Sequence, residues 1–316
     1  MRHFRILSMV MLMVALTACE KVIFYEDLES EPLLVVNGLQ RVGEPARLSV
    51  ERSSFYIDSE TDFRVKDVHA DLYVNGIFKE SLHVRDSIIV ETYWGWNDSV
   101  GEIMVERPRY AFNYCEGEYI LCEGDQLRFE VSSSEFDKVA VAETTIPYAP
   151  NVISFDTTRT ADDGMLYFAL TIDDPAGKDF YNLYPKEGFS GFVSTDPVFS
   201  DFMNIVHIDD MFGGNEYHGN GEFNMFNDSY FEGKRYAVSL YTYGYYDSEY
   251  PNPYVMEVSR VDYHLYQFKK SYSAYDYNDD LLALFTEPTQ VYSNVQNGVG
   301  VVCSQSLPVT MVVDLR

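Results

Sequence analysis

Residues able to do chemistry are plentiful in this chain, but few stand at spacings that chemistry requires. Asp and Glu together number 50. A carboxylate pair of the glycosidase kind could be assembled almost anywhere, and such abundance selects no pair. His69, His83, His207, His218 and His264 are scattered, and no H-E-x-x-H spacing puts two on one helix face. Gly188-Phe189-Ser190-Gly191 lacks the G-x-S-x-G spacing of a nucleophile elbow. No glycine-rich phosphate cradle follows a strand pattern. The sequence therefore predicts no catalytic residue, no cofactor and a protein that is not an enzyme.

Asp-rich turns raise a calcium reading, because a hard cation needs several oxygens converging on one point. Asp162-Asp163-Gly164, Asp173-Asp174 with Asp179, and Asn278-Asp279-Asp280 supply the residue type. None has the spacing of an EF-hand loop, and Asp is common in any turn. No metal ligand is assigned.

Four cysteines are present. Cys19 ends Leu16-Thr17-Ala18-Cys19, which resembles a bacterial lipobox, in which small residues precede a thiol that accepts a lipid; an ordinary secretory signal that happens to contain a Cys is the alternative. Cys115 and Cys122 flank Glu116-Gly117-Glu118. Positions seven apart in one straight strand face opposite sides, so pairing them needs a bend at Gly117. Export to an oxidising compartment favours a bridge, and a Cys115–Cys122 disulfide is expected, with two free thiols as the alternative. Cys303, after Val301-Val302, reads as a buried, inert thiol.

Aromatic residues are the strongest binding signal, with 26 Tyr, 21 Phe and 2 Trp. Tyr241, Tyr243, Tyr245 and Tyr246 crowd one stretch, and Trp94 and Trp96 flank a glycine. Exposed aromatics supply large contact area at low entropic cost. The alternative is that they pack a sheet, since tyrosine is a good strand residue.

The elements that would carry these residues read as strands. Ala46, Leu48 and Val50 alternate with polar neighbours, as do Val68, Ala70, Leu72 and Val74, and Asn75-Gly76 then supplies a type I′ hairpin turn. Leu127, Phe129 and Val131 continue the pattern. The expected fold is all-β: two β-sandwich-like domains, the first immunoglobulin-like over 33–147, the second over 148–316 with one amphipathic helix. That helix is expected near 254–273, from the spacing of Val255, Val258, Val261, Leu265, Phe268 and Tyr272, with Asn252 as its cap. Pro147 and Pro150 mark the boundary.

Ahead of the domains, residues 1–18 combine Arg2 and Arg5 with the apolar run 6–16, the pattern of an export signal. Residues 19–32 form an acidic tether. A formal net charge of −27 argues against nucleic acid as a partner, since phosphate binding needs a basic footprint.

Several segments together resemble one family. They are the lipobox with Cys19-Glu20-Lys21-Val22-Ile23, Leu34-Val35-Val36-Asn37-Gly38-Leu39, Thr144-Thr145-Ile146-Pro147 and Asp174-Pro175-Ala176-Gly177 with Tyr181-Asn182-Leu183. Phe226-Asn227-Asp228 with Phe231-Glu232-Gly233-Lys234, and the Tyr292–Gly300 segment, complete the set. In order and spacing they resemble the domain-of-unknown-function 4249 family of Bacteroidetes outer-membrane lipoproteins. The resemblance implies a protein lipid-anchored at Cys19 in the outer membrane, on its periplasmic or extracellular face, near a TonB-dependent transporter. It supplies no catalytic residues. The expected function is accessory binding in ligand or nutrient capture with that transporter, with a structural or adhesive surface protein, or less readily a cell-envelope hydrolase, as the alternatives.

Overall fold

In the first part of the chain, side-chain alternation builds two facing sheets. β1 (Leu34–Arg41), β2 (Pro45–Arg52), β5 (His83–Asn97) and β6 (Gly101–Ile120) lie in the order β1-β2-β6-β5; β3 (His69–Val74), β4 (Ile77–Ser81), β7 (Gln126–Ser133) and β8 (Phe136–Thr145) lie in the order β4-β3-β7-β8. Every second residue points inward, so Ala46, Leu48 and Val50 meet Leu72, Phe129 and Val131 in one core. These two strand orders are those of an immunoglobulin-type sandwich. Asn75 and Gly76 turn the β3–β4 hairpin with φ of 53° and 78°, the double positive φ of a type I′ turn.

This computed structural model describes residues 31–54, 61–97, 101–159, 165–187, 194, 196–199, 225–243, 253–277 and 290–313. Its later part is a second sandwich. A three-stranded sheet, β9 (Val152–Arg159), β10 (Met165–Asp173) and β13 (Arg235–Tyr243), faces β11 (Phe180–Glu187), β12 (Met225–Asn227), β14 (Tyr254–Val261) and β16 (Val309–Val313). Phe155, Phe168 and Leu170 pack there against Tyr181, Leu183 and Val258. Among the described residues there is one α-helix, α1 (Tyr263–Tyr277), and no helix is long and apolar enough to cross a membrane.

The helix expected over 254–273 is therefore a strand followed by a helix. The valines at 255, 258 and 261 satisfy a helical spacing, but Tyr254, Met256 and Val258 are buried with Val255 and Glu257 less so between them, a period of two, before Ser259 and Val261 are buried at the strand's end. β-branched residues favour that outcome. Asp262 is the cap: its Oδ1 accepts the Leu265 N–H at 2.8 Å, and its backbone oxygen accepts the Tyr266 N–H.

The boundary expected at 147/148 separates most of the two cores but not the sheets. β15 (Val302–Gln305) runs parallel to β1, pairing Gly38 with Val302 and Arg41 with Gln305. Through it nine strands form one sheet, β12-β11-β14-β15-β1-β2-β6-β5 with β16 on β14. Residues 33–53 and 60–316 accordingly form one compact unit. The return segment ahead of β15 also closes the other sheet, because Val141 and Gln296 exchange both backbone hydrogen bonds, at 3.0 and 2.8 Å. Asn294 Nδ2 donates to the backbone oxygens of Glu143 and Val302, and Asn37 Oδ1 accepts the Val301 N–H. Gly298 lies so close to β1 that a Cβ would sit 2.6 Å from the Leu34 oxygen.

The first sandwich thus takes the partners of two of its four edge strands, β1 and β8, from the chain's far end. An exposed edge is a site of aggregation. A fragment of residues 33–147 should be insoluble or melt without a cooperative transition, whereas residues 33–313 should melt cooperatively. A soluble fragment with a sharp calorimetric transition would refute this dependence.

Candidate functional site

The aromatic candidates lie on two surfaces. Trp94 and Trp96 belong to β5, whose backbone pairs them with Met104 and Glu102 of β6 near the outer end of a long hairpin. β2 accompanies β6 only as far as the Val50–Asn113 pair. Beyond it, apart from an Asp62–Ala111 bridge and the Phe63–Tyr110 ring contact beside it, no third strand pairs with them among the described residues. Ten residues of such a hairpin reach about 30 Å. At its base Ile88, Ile89 and Val90 are 56%, 39% and 48% exposed, and three successive exposed positions mean that both faces are open. The indole rings themselves lie outside the described residues.

Tyr241 sits on β13 opposite Tyr167 of β10, with ring centroids 5.8 Å apart, on the side away from the core that holds Leu240. Tyr243 ends that strand beside Met165, and its side chain, like all of Tyr245 and Tyr246, lies outside the described residues. Cys19 lies outside them too.

The cysteine expectation is corrected. Cys115 and Cys122 are free thiols, as is Cys303. Cys115 is fully buried in the first core, whereas Cys122 is exposed just past the end of β6. Gly117 does not bend the strand back, and the opposed facing of positions seven apart keeps the sulfurs apart. Burial pushes the Cys115 thiol up to about 12, so it is inert as a nucleophile. Cys303 is buried, as expected.

One cluster of ionisable groups was only partly visible in the sequence. Asp174 and Asp179, flagged for their spacing, meet Asp228, and all three are buried with carboxylate oxygens within 4.8 Å of one another. Internal donors hold each. Tyr181 Oη and the Gly233 N–H donate to Asp174, the latter at 2.7 Å. The Asp179 N–H donates to Asp228 at 2.8 Å, and the Arg260 guanidinium from β14 binds the Asp179 carboxylate. Burial and the Asp174 charge push the Asp228 carboxyl up to about 6. The guanidinium offsets part of the crowded charge, and the remainder is what raises the Asp228 carboxyl. The cluster pins the turn after β10, the start of β11 and the turn after β12 onto β14.

Those same segments carry the family-like motifs of the sequence. A family model described as a domain of unknown function (DUF4249) matches residues 22–307. The chain belongs to the DUF4249 family. No curated protein matches it. In this DUF4249 chain the motif residues satisfy buried polar groups. Thr144 Oγ1 donates to Asp262 at 2.5 Å and lies 2.9 Å from Ser304 Oγ, so one node ties β8, β15 and the cap of α1. Gln40, 1% exposed, bonds both the Arg47 N–H and its oxygen where the β1–β2 ladder stops, and Gly38 leaves room for that amide. In the sequence only the spacing of these segments is visible, since their partners lie up to 265 residues away.

The Asp228 shift has a signed consequence. An unfolded Asp titrates near about 4, so between about 4 and about 6 the folded chain holds the proton more tightly. This group's contribution falls as pH rises through that window and is regained on acidification. Asp228→Asn keeps an acceptor for the Asp179 N–H and removes the titration. Its stability relative to wild type, by urea unfolding, should rise on the order of 2–3 kcal/mol from pH 4 to pH 7. A pH-independent difference would contradict the assignment.

Proposed function

We propose that this protein is a lipid-anchored accessory protein of the outer membrane that binds a partner and catalyses no reaction. The observation that carries this reading is the β5–β6 hairpin. It extends past the first sandwich, with Ile88, Ile89 and Val90 exposed at its base and Trp94 and Trp96 near its outer end. On β5 from Ser87 to Asn97 the one charged side chain is Glu91, in a chain of net charge −27, whereas the paired stretch of β6 carries Glu102, Glu106, Arg107 and Arg109. A contact made along the β5 edge, poor in charge and rich in aromatics, avoids the cost of burying unpaired carboxylates.

The lipobox at Cys19 supports the anchor, and family resemblance suggests a TonB-dependent transporter as the partner in ligand or nutrient capture. Anchoring confines both proteins to one membrane plane, so a modest pairwise affinity gives substantial occupancy. Tyr241 and its neighbour Tyr167 offer a second aromatic surface for the same partner.

Capture of the tagged lipoprotein from native membranes in mild detergent, followed by mass spectrometry, tests the reading. A transporter should co-elute. The Trp94→Ala/Trp96→Ala variant should reduce its recovery at least about tenfold, the scale of losing a central aromatic anchor, with the melting temperature unchanged within a few degrees. Cys19→Ala should abolish detergent-phase partitioning. Undiminished capture by the double variant removes the hairpin as the interface, and absence of any transporter removes the partner.

A further inference from the structure

The nine-stranded sheet has a second use. On its α1 side lies a cleft of about 800 Å³, floored by β11, β14 and β15 and walled by α1 and the end of β1. That volume is within the range of about 300–1,000 Å³ typical of small-molecule sites. Its walls are partly apolar, through Leu39, Met225, Leu265, Phe268 and Val301.

Polar groups converge on the floor. Asn182 pairs across the strands with Ser259 on one side and Met225 on the other. Gln305 Nε2 donates to Ser259 Oγ at 2.7 Å, which fixes that hydroxyl. Asn182 Oδ1 is buried without a hydrogen-bond partner. A buried amide oxygen left unpaired is costly, and a ligand that donates to it recovers that cost.

The charge of the lining opposes that of the chain. Arg41, Lys186 and Lys269 stand against Glu44 and Glu257. Glu44 binds Arg47 at 2.8 Å and Glu257 binds Lys186 at 3.3 Å. Arg41 and Lys269 line the same cleft as Cys303. A cleft of net positive lining in a protein of charge −27 concentrates small anions locally against the field of the whole molecule.

The geometry points to a binding site for a small organic anion that carries a hydrogen-bond donor. Its acid group lies toward Arg41, its N–H or O–H donates to Asn182 Oδ1, and its apolar body rests against Leu265 and Phe268. Hydroxy acids, acidic sugars and acylated amino acids share this chemistry. The site does not depend on the membrane reading or on the hairpin.

The test uses 8-anilino-1-naphthalenesulfonate, which combines an anion, an N–H donor and an apolar body, titrated by fluorescence into residues 20–316. One saturable site per chain is expected. N-Phenyl-1-naphthylamine, the same rings and N–H without the sulfonate, should bind about tenfold more weakly, as should the sulfonate probe to Arg41→Gln or Asn182→Leu. Arg41 is exposed, so its variant reads the site without disturbing the core. The double tryptophan variant should bind as wild type. The inference is overturned by the lack of a saturable site, by equal binding of the uncharged probe, or by an Arg41→Gln affinity within twofold of wild type.

Discussion

The backbone amides of β1 must find partners on two sides, and everything else in the structure follows from where the outer partner comes from. β2 serves one side for half the strand, and Gln40 completes it with its side chain. The other side is filled from residues 299–305, where the Val36 and Gly38 N–H groups donate to Val299 and Val301 at 2.9 Å. A β-sandwich that left this edge open would offer a template for any passing strand. Filling it from the far end of the same chain makes one sheet of two sandwiches, and it brings β1, β14 and α1 close enough to form the cleft between them.

Buried charge is handled consistently around this junction. Asp262 lies inside the protein, where burial raises its carboxyl above the usual range. It is held by Thr144, by the Leu265 N–H and, at its own N–H, by the Ser304 oxygen. Asp179 takes Arg260, and Asp228 takes the Asp179 N–H. None of these groups adds much net stability over an apolar replacement, but removing one partner leaves a charge stranded, at a cost of about 3–5 kcal/mol. Such nodes specify which strand lies beside which, and that explains why spacing in the sequence clusters around them.

Much of the fold was legible because strands write their period locally. Ala46, Leu48 and Val50 alternate, Asn75-Gly76 turns, and the immunoglobulin-like order follows. Tyr254 to Val261 misled because valines three apart fit a helix as well as a strand, and only the far wall decides between them. The strap at 294–305 left no local mark of its partner. Asn294 and Asn297 read as turn residues, yet their amides bond Glu143 and Val139, about 150 residues away. The same holds for the sites. Asp174 and Asp179 are near in sequence, but Asp228 and Asn182 acquire meaning only once β11, β12 and β14 are side by side. The expected disulfide failed on a local rule that was on the page, the opposed facing of positions seven apart.

The return of the chain onto β1 also sets a clock. A polypeptide is made from its N-terminus, and β1 emerges some 260 residues before the segment that covers it. Contacts of such sequence separation form late and slowly. Through that interval the first sandwich lacks the core residues Val295 and Val302 and has β1 and β8 unsealed, so it must wait, shielded or unfolded, for the last strands to arrive. Completion of the whole molecule, rather than of each half in turn, is what commits the N-terminal sheet to its final form.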